Sequence, residues 1–284
     1  MTSDFSGDLS GLGRLRKTQE FRVNTVRLAQ FAAAIDDENP RHLEGAVASP
    51  IFANVPPMQP TIEVLRAVTP AFAFHGQHDF HYHRAIRPGM RLFSQATLRG
   101  AIPSAAGVSI MIKAETLDET GALVDEQYFT ALVAGAKLDK PVGEAAPDHR
   151  LPEAARAAAP IATATYPMAA DQTARYADAA RDYSAYTLRL DAAKALGFEH
   201  LLVHGMLTMA FAGRAIVEHA CGGDVDRLKR LAGRFSAPVF LTPGQAITTR
   251  IWRLEGKGGR QAFGYEASEA SGNTVIKHGL AEVA

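Results

Sequence analysis

The sequence predicts an α+β fold built from two copies of one unit, each a buried helix followed by an antiparallel meander that wraps around it. Three local signals recur in the same order in both halves. Phe31-Ala32 precedes Asp37 as Tyr176-Ala177 precedes Asp182. Arg87-Pro88-Gly89 and Thr242-Pro243-Gly244 each open an alternating strand pattern that closes at Gly100 or Gly256. Glu119-Thr120-Gly121 and Ala270-Ser271-Gly272 are turns between strand patterns. The members of each pair are separated by roughly 150 residues, and three matches in order argue for duplication where one would be chance. The helical period also gives way to period two at the same place in each half. With 284 residues, 47% hydrophobic and 21% charged, the chain has enough material for two ordinary cores.

The elements follow in order. Residues 1–20, with Gly7, Gly11 and Gly13, read as a loose arm or a short lead-in strand. Residues 21–136 form the first copy. A helix spans 26–35, and a loop with an acidic residue follows. A second helical segment lies around 61–68, its start delayed by Pro56, Pro57 and Pro60. Strands follow at 90–98, 108–116 and 127–134. Residues 137–160 are rich in Pro and Ala without apolar periodicity, which predicts a linker. Residues 161–284 form the second copy. Helices span 172–180 and 204–219, the latter apolar on most sides as a buried helix is. Strands follow at 246–254, 262–269 and 274–283.

Composition narrows the function classes. Lys plus Arg is 30 and Asp plus Glu is 30, so there is no basic excess to draw nucleic acid or an anionic membrane. The single cysteine, Cys221, excludes an internal disulfide and a multi-cysteine metal site and fits a reducing compartment. The first residues lack the apolar core of a signal peptide. The most apolar stretch, 201–217, is interrupted by His204 and Arg214 and is too short and polar to span a bilayer. The expectation is a soluble, cytoplasmic protein.

Two segments carry chemistry. FAAAIDDENPRH, residues 31–42, contains Asp37, Asn39, Pro40 and His42. Pro40 ends the preceding helix and puts the string in the following loop. A carboxylate and an imidazole five residues apart on one turn can converge on a single water and serve as general base and general acid near neutral pH. Asn39 can orient a carbonyl or that water. On these six residues alone the default reading is an Asn-Pro turn with solvated polar side chains. GFEHLLVHGMLTMAF, residues 197–211, places His204-Gly205-Met206 where the long helix begins. Gly205 admits close approach of another molecule, and the first-turn N–H groups are free donors that can hold a thioester carbonyl as it becomes an enolate. The alternative is a glycine chosen for packing.

Together these segments resemble the MaoC-like hydratase/dehydratase family, the (R)-specific enoyl-thioester hydratases of the hotdog superfamily. The family pattern is Tyr-Ala-x-x-x-Gly-Asp-x-Asn-Pro-x-His, then Ala-x-x-x-Gly-Phe-x-x-x-Ile-x-His-Gly-Met. ASPIF at 48–52 is similar to the helix start of the family's N-terminal domains, and FHYHRAIRPGMRL and RFSAPVFLTPGQAI are similar to its shared Pro-Gly strand. The resemblance covers both halves and implies a double hotdog. It implies hydration of a trans-2-enoyl thioester or dehydration of the (R)-3-hydroxyacyl thioester. CoA or acyl-carrier phosphopantetheine would be the substrate handle, with no metal or redox cofactor. It also implies that a single chain supplies the two-hotdog unit, with a homodimer as a further assembly.

The two halves depart from the pattern in opposite ways. Asp182 stands at the family aspartate of the second half, but Ser184, Ala185 and Thr187 replace the asparagine, proline and histidine. A threonine hydroxyl is no base near pH 7. The first half keeps Asp37, Asn39 and His42 but has Ser49-Pro50 in place of His-Gly. The resemblance therefore assigns catalysis to Asp37, His42 and Asn39. Substrate binding falls to Ser49, Pro50, His204, Gly205 and Met206. The competing assignment gives catalysis to Asp182, with Thr187, Tyr186, Tyr183 or His204 standing in for the histidine. The remaining candidates read as structural. His75, His78, His81 and His83 suggest a polar strand face, with His75 and His78 ahead of the strand. The glycines after Glu255 suggest a hairpin, and Arg84, Arg87, Arg91 and Arg99 either meet CoA phosphates or mark solvated strand ends.

Overall fold

The computed structural model describes residues 3–17, 20–69 and 72–284. In chain order the helices are α1 (Thr25–Ala34), α2 (Pro40–Leu43), α3 (Met58–Val68), α4 (Glu153–Ala157), α5 (Gln172–Ala180), α6 (Ala185–Leu188), α7 (Leu190–Ala195) and α8 (Gly205–His219). A 3-10 turn at Pro50–Asn54 precedes α3.

The chain divides into two compact units. The first comprises Met1–Arg22, Pro56–Arg84 and Met90–Asp148. Its strands are β1 (Ser3–Asp4), β2 (Leu15–Lys17), β3 (Phe21–Arg22), β4 (Phe74–Tyr82), β5 (Arg91–Ser104), β6 (Gly107–Asp118), β7 (Leu123–Ala134), β8 (Ala136–Lys137) and β9 (Val142–Gly143). The order β4-β7-β6-β5-β2 is antiparallel throughout. Val64 and Val68 of α3 bury against Ala96, Leu98, Ile110 and Ile112 of the sheet, so α3 covers one face. The N-terminal arm is a lead-in: β2 pairs with Gln95–Thr97 of β5, and β1 pairs in parallel with β8.

The second unit comprises Val23–Val55, Ala85–Gly89 and His149–Ala284. Its strands are β10 (Ala162–Pro167), β11 (Leu228–Phe235), β12 (Ala246–Leu254), β13 (Gln261–Ser268) and β14 (Thr274–Val283). The order β10-β12-β13-β14-β11 is again antiparallel. α8 packs against β12, β11 and β10, and Leu207, Met209, Phe211, Ala215 and Ile216 are almost fully buried. This is the helix that the all-round apolar pattern required.

The repeat is visible in the backbone. α1 and α5 are followed by non-glycine residues in the left-handed region, Asp36 at φ +49° and Arg181 at φ +58°. Gly89 and Gly244 after the two prolines both have positive φ, +87° and +76°, which explains glycine at each turn.

Three expectations need correction. The compact units are not the two sequence halves 21–136 and 161–284, because residues 23–55 and 85–89 of the first half pack with the second. Ala48 N–H donates to Ile86 O and Gly89 N–H to Val23 O within that unit, and α1 packs on α5. Residues 137–160 are not a bare linker: β9 adds to the edge of β5 opposite Gly100 and Ala101, and α4 forms ahead of β10. The strand over the histidines is longer than its alternation indicated, since β4 starts at Phe74 and takes in His75 and His78.

Candidate active site

The segment 24–42 builds a turn whose purpose is to bring His42 back onto Asp37. The Asn24 side chain accepts a hydrogen bond from Arg27 N–H at 2.8 Å and caps α1. α1 buries Leu28, Phe31, Ala32 and Ala34 and then stops at the left-handed Asp36. Asp37 Oδ1 accepts from Asn39 N–H at 3.0 Å. Asn39 Oδ1 accepts from Arg41 N–H at 3.1 Å and starts α2, with Pro40 in its first turn. One turn of helix then sets His42 Nδ1 2.7 Å from Asp37 Oδ2.

Both partners are buried, His42 to 1% and Asp37 to 3% exposure. An ionised carboxylate only accepts, so Nδ1 carries the proton and Nε2 is left as the acceptor. Among the described residues the buried Nε2 has no hydrogen-bond partner. The imidazole is therefore oriented at one nitrogen and open at the other. The expected loop histidine is instead a buried helical one. Asn39 does not have the free amide that the sequence suggested. Its Nδ2 donates to Gly223 O at 2.7 Å and its Oδ1 caps α2, so it is a structural residue of the turn.

The second half forms the same turn around different atoms. Asp182 Oδ1 accepts from Ser184 N–H at 3.2 Å and Ser184 O–H at 2.6 Å. Thr187 on α6 donates its hydroxyl to Ser184 O at 2.7 Å. His204 Nε2 lies 3.0 Å from Asp182 O and 2.9 Å from Thr187 Oγ1, so its N–H is shared between them. Burial lowers the His204 pKa, and Tyr186 is pushed up by burial. His204 thus meets the backbone of Asp182, not its carboxylate, and no acid–base pair like Asp37–His42 forms there. Gly205 and Met206 begin α8 with no side chain capping its first turn.

At the matching start in the first half, Pro50 opens the 3-10 turn and brings no N–H. Ser49 beside it is 2% exposed, and its Oγ has no hydrogen-bond partner among the described residues. A hydroxyl donor is therefore available where the backbone donor is lost.

The other polar residues are accounted for elsewhere. Arg84, Arg87, Arg91 and Arg99 pair with Asp118, Asp226, Glu20 and Glu144. Two histidines of β4, His75 and His78, begin a hydrogen-bonded chain in the first unit. His75 Nε2 faces His78 Nδ1 at 3.1 Å, His78 Nε2 faces Gln127 Oε1 at 3.1 Å, and Gln127 donates to Asp125 at 2.7 Å. Burial lowers His78 to about 4 and raises Asp125 to about 7. Sequence reading missed the second-half side chains that hold the 33–38 segment: Gln172 donates to Ala34 O, Arg175 pairs with Asp36, and Arg214 pairs with Glu38. The signal for the last was present as a lone arginine in an otherwise apolar helix.

The fold is that of a double hotdog, and one of its two turns pairs a buried carboxylate with an imidazole. Residues 153–276, in the second half, match the family model described as MaoC like domain. The chain is 26% identical over 225 residues to 3-hydroxyacyl-thioester dehydratase Y of Mycobacterium tuberculosis, covering 75% of this chain and 73% of that protein. It is 23% identical over 186 residues to probable enoyl-CoA hydratase 2 of Dictyostelium discoideum, covering 65% of this chain and 62% of the relative. Among solved structures, the MaoC-like dehydratase of Phytophthora capsici superposes with a TM-score of 0.81 at 22% identity over 97% of both chains. A Mycobacterium tuberculosis protein described as a double hotdog superposes with a TM-score of 0.61 at 14% identity over 95% of both chains. No helix among the described residues is long and apolar enough to cross a membrane.

Proposed function

We propose that this protein is a hydro-lyase that adds water to trans-2-enoyl thioesters or removes it from (R)-3-hydroxyacyl thioesters, using the first half's Asp37–His42 pair. The observation that carries this is the buried 2.7 Å contact with His42 Nε2 left open. The activities in the relatives' names support it.

In the hydration direction, Asp37 holds His42 with Nδ1–H inward. Nε2 takes a proton from water. The hydroxide oxygen bonds to the β carbon, and the double-bond electrons move through the α carbon onto the thioester carbonyl. The imidazolium then returns its proton to the α carbon. The Ser49 hydroxyl donates to the carbonyl oxygen as negative charge develops on it. Every atom of water ends in the product, so this route calls on no metal or redox cofactor. CoA or acyl-carrier phosphopantetheine enters as part of the substrate. The reading includes cytoplasmic residence, with a homodimer as the further assembly.

A second reading is a non-catalytic acyl-thioester-binding subunit. It is favoured by Thr187 in the second half and by the missing N–H at Pro50 in the first. Incubating the purified protein alone with crotonyl-CoA decides between them. Loss of the conjugated enoyl absorbance with appearance of 3-hydroxybutyryl-CoA supports the hydro-lyase. An unchanged absorbance overturns it, and free thiol would instead mark a thioesterase.

A further inference from the structure

We infer that Arg214, on the second-half helix α8, is the positioning residue that holds the Asp36 carbonyl and the Glu38 carboxylate, on either side of Asp37, for the chemistry of the first half. The inference rests on the hydro-lyase reading in taking Asp37–His42 as the reacting pair.

Arg214 reaches the turn from a helix more than 170 positions away in sequence. Its side chain is only 9% exposed. The guanidinium lies over the Tyr166 ring at 3.9 Å from the centroid. Tyr166 in turn donates its hydroxyl to Glu218 Oε2 at 2.8 Å, and Glu218 stands one helical turn beyond Arg214 on α8. The platform and the arginine are thus fixed by the same helix. Burial and the bond to Glu218 push the Tyr166 phenol up, and the Arg214 charge over the ring pulls it partly back.

The two arms of the guanidinium do different things. Nη1 donates to the backbone carbonyl of Asp36. Nη2 pairs with Glu38 Oε2 at 2.9 Å. These are the residues immediately before and after Asp37. Asp36 sits at φ +49°, a region that strains a residue with a Cβ by on the order of 1 kcal/mol, so the turn needs outside support. Arg175 supplies some: it binds the Asp36 carboxylate at 2.7 and 3.2 Å and Ala33 O at 2.8 Å. Those contacts end at Asp36. Arg214 contacts both neighbours of Asp37.

Stability alone does not account for this placement. The Glu38 side chain is 85% exposed, and an ion pair with so wet a partner contributes little to folding. What the fork supplies is geometry, because two N–H groups on one rigid plane hold the Asp36 carbonyl and the Glu38 carboxylate at once. Misplacing a reacting group by about 1 Å can lower a rate on the order of 100-fold.

The test compares Arg214→Met and Arg214→Lys with His42→Gln in the full chain. Crotonyl-CoA kinetics are measured alongside 15N spectra of histidine-labelled protein, which report the tautomer of His42. Arg214→Met is expected to lower kcat roughly 10- to 100-fold with KM little changed. It should also turn the single Nδ1–H tautomer of His42 into a mixture. Arg214→Lys, which keeps one donor but neither the fork nor the stack, should fall between and serves if the Met variant does not fold. A lower melting temperature with unaltered kcat and tautomer would mean a merely structural arginine and overturns the inference. Full activity in His42→Gln overturns the assignment of the chemistry to the Asp37–His42 pair instead, and the tautomer of His42 in the Arg214 variants then still decides whether Arg214 orients the pair.

Discussion

Replacing His42 separates folding from the proposed chemistry, because the residue holds a buried hydrogen bond and is the proposed acid–base group. Asp37 is 3% exposed and has two acceptor oxygens: Oδ1 is satisfied by Asn39 N–H, and Oδ2 faces His42 Nδ1. In His42→Ala, Oδ2 keeps no donor. An unsatisfied buried acceptor costs about 1–3 kcal/mol, and more when it is charged. At roughly 2–4 °C per kcal/mol for a body of this size, a loss of about 3 kcal/mol lowers Tm by about 6–12 °C. His42→Gln behaves differently. Its amide N–H can still donate to Asp37, so stability should stay within about 1 kcal/mol of the parent, yet the amide has no basic lone pair to take a proton. Both variants should lose on the order of 10²–10⁴ in kcat, the range a general acid–base group supplies. Asp37→Asn combined with His42→Gln should be scarcely worse than the weaker single variant, since the two act as one unit. Thermal melts and the disappearance of crotonyl-CoA absorbance read the two effects separately. A folded His42→Gln protein within a few-fold of the parent kcat would refute the assignment.

Two further outcomes follow. Asp182→Asn should leave kcat within a few-fold of the parent, because that carboxylate only closes a turn onto Ser184, and a loss matching that of His42→Gln would move the active turn to the second half. Asp125 holds its proton to about pH 7 when folded and to about 4 when unfolded, so its share of stability falls as pH rises between those values. Asp125→Asn cannot ionise and should gain on the parent from pH 4 to 7, by at most about 4 kcal/mol, and hold level above. Melts of both proteins across that range check it, and a difference independent of pH would count against it.

Much of the fold was legible because it is written twice. The turns at Gly89 and Gly244 and the limits of α5, β12 and β14 follow from punctuation and period alone. The unit boundary did not. Residues 23–55 leave the first sheet to pack with the second, and that choice is made by contacts distant in sequence, such as Gln172 with Ala34 O and Asn39 with Gly223 O. Local pattern carries no record of such pairs. The length of β4 was obscured for another reason. His75, Gln77 and His78 look like solvated loop residues, yet they sit in a strand because His75, His78, Gln127 and Asp125 satisfy one another along its face. In the site, residue identity revealed the Asp37–His42 pair. It gave the wrong environment for His42 and the wrong task for Asn39, since both depend on what the turn is buried against.

The divergence of the halves has a physical logic at the second turn. If Thr187 were the only loss, a histidine restored there would rebuild a pair with Asp182. The structure closes that route. His204 Nε2 already stands 2.9 Å from Thr187 Oγ1 and shares its N–H between that oxygen and Asp182 O. An imidazole at 187 would have to share that buried space with the His204 ring, and overpacking a dense interior typically costs about 1–3 kcal/mol. Ser184 has meanwhile claimed Asp182 Oδ1 through both its amide and its hydroxyl. Thr187, Ser184 and His204 Nε2 thus share one set of hydrogen bonds, and a histidine at 187 alone does not rebuild a pair with the Asp182 carboxylate. In the first turn the corresponding positions hold Asn39 and Ser49, which leave Asp37 Oδ2 to His42 and leave His42 Nε2 without a partner among the described residues. Each turn leaves one imidazole nitrogen without a partner among the described residues, His42 Nε2 in the first and His204 Nδ1 in the second, so the turns differ in what orients the ring: the Asp37 carboxylate in the first, the Asp182 carbonyl and the Thr187 hydroxyl in the second.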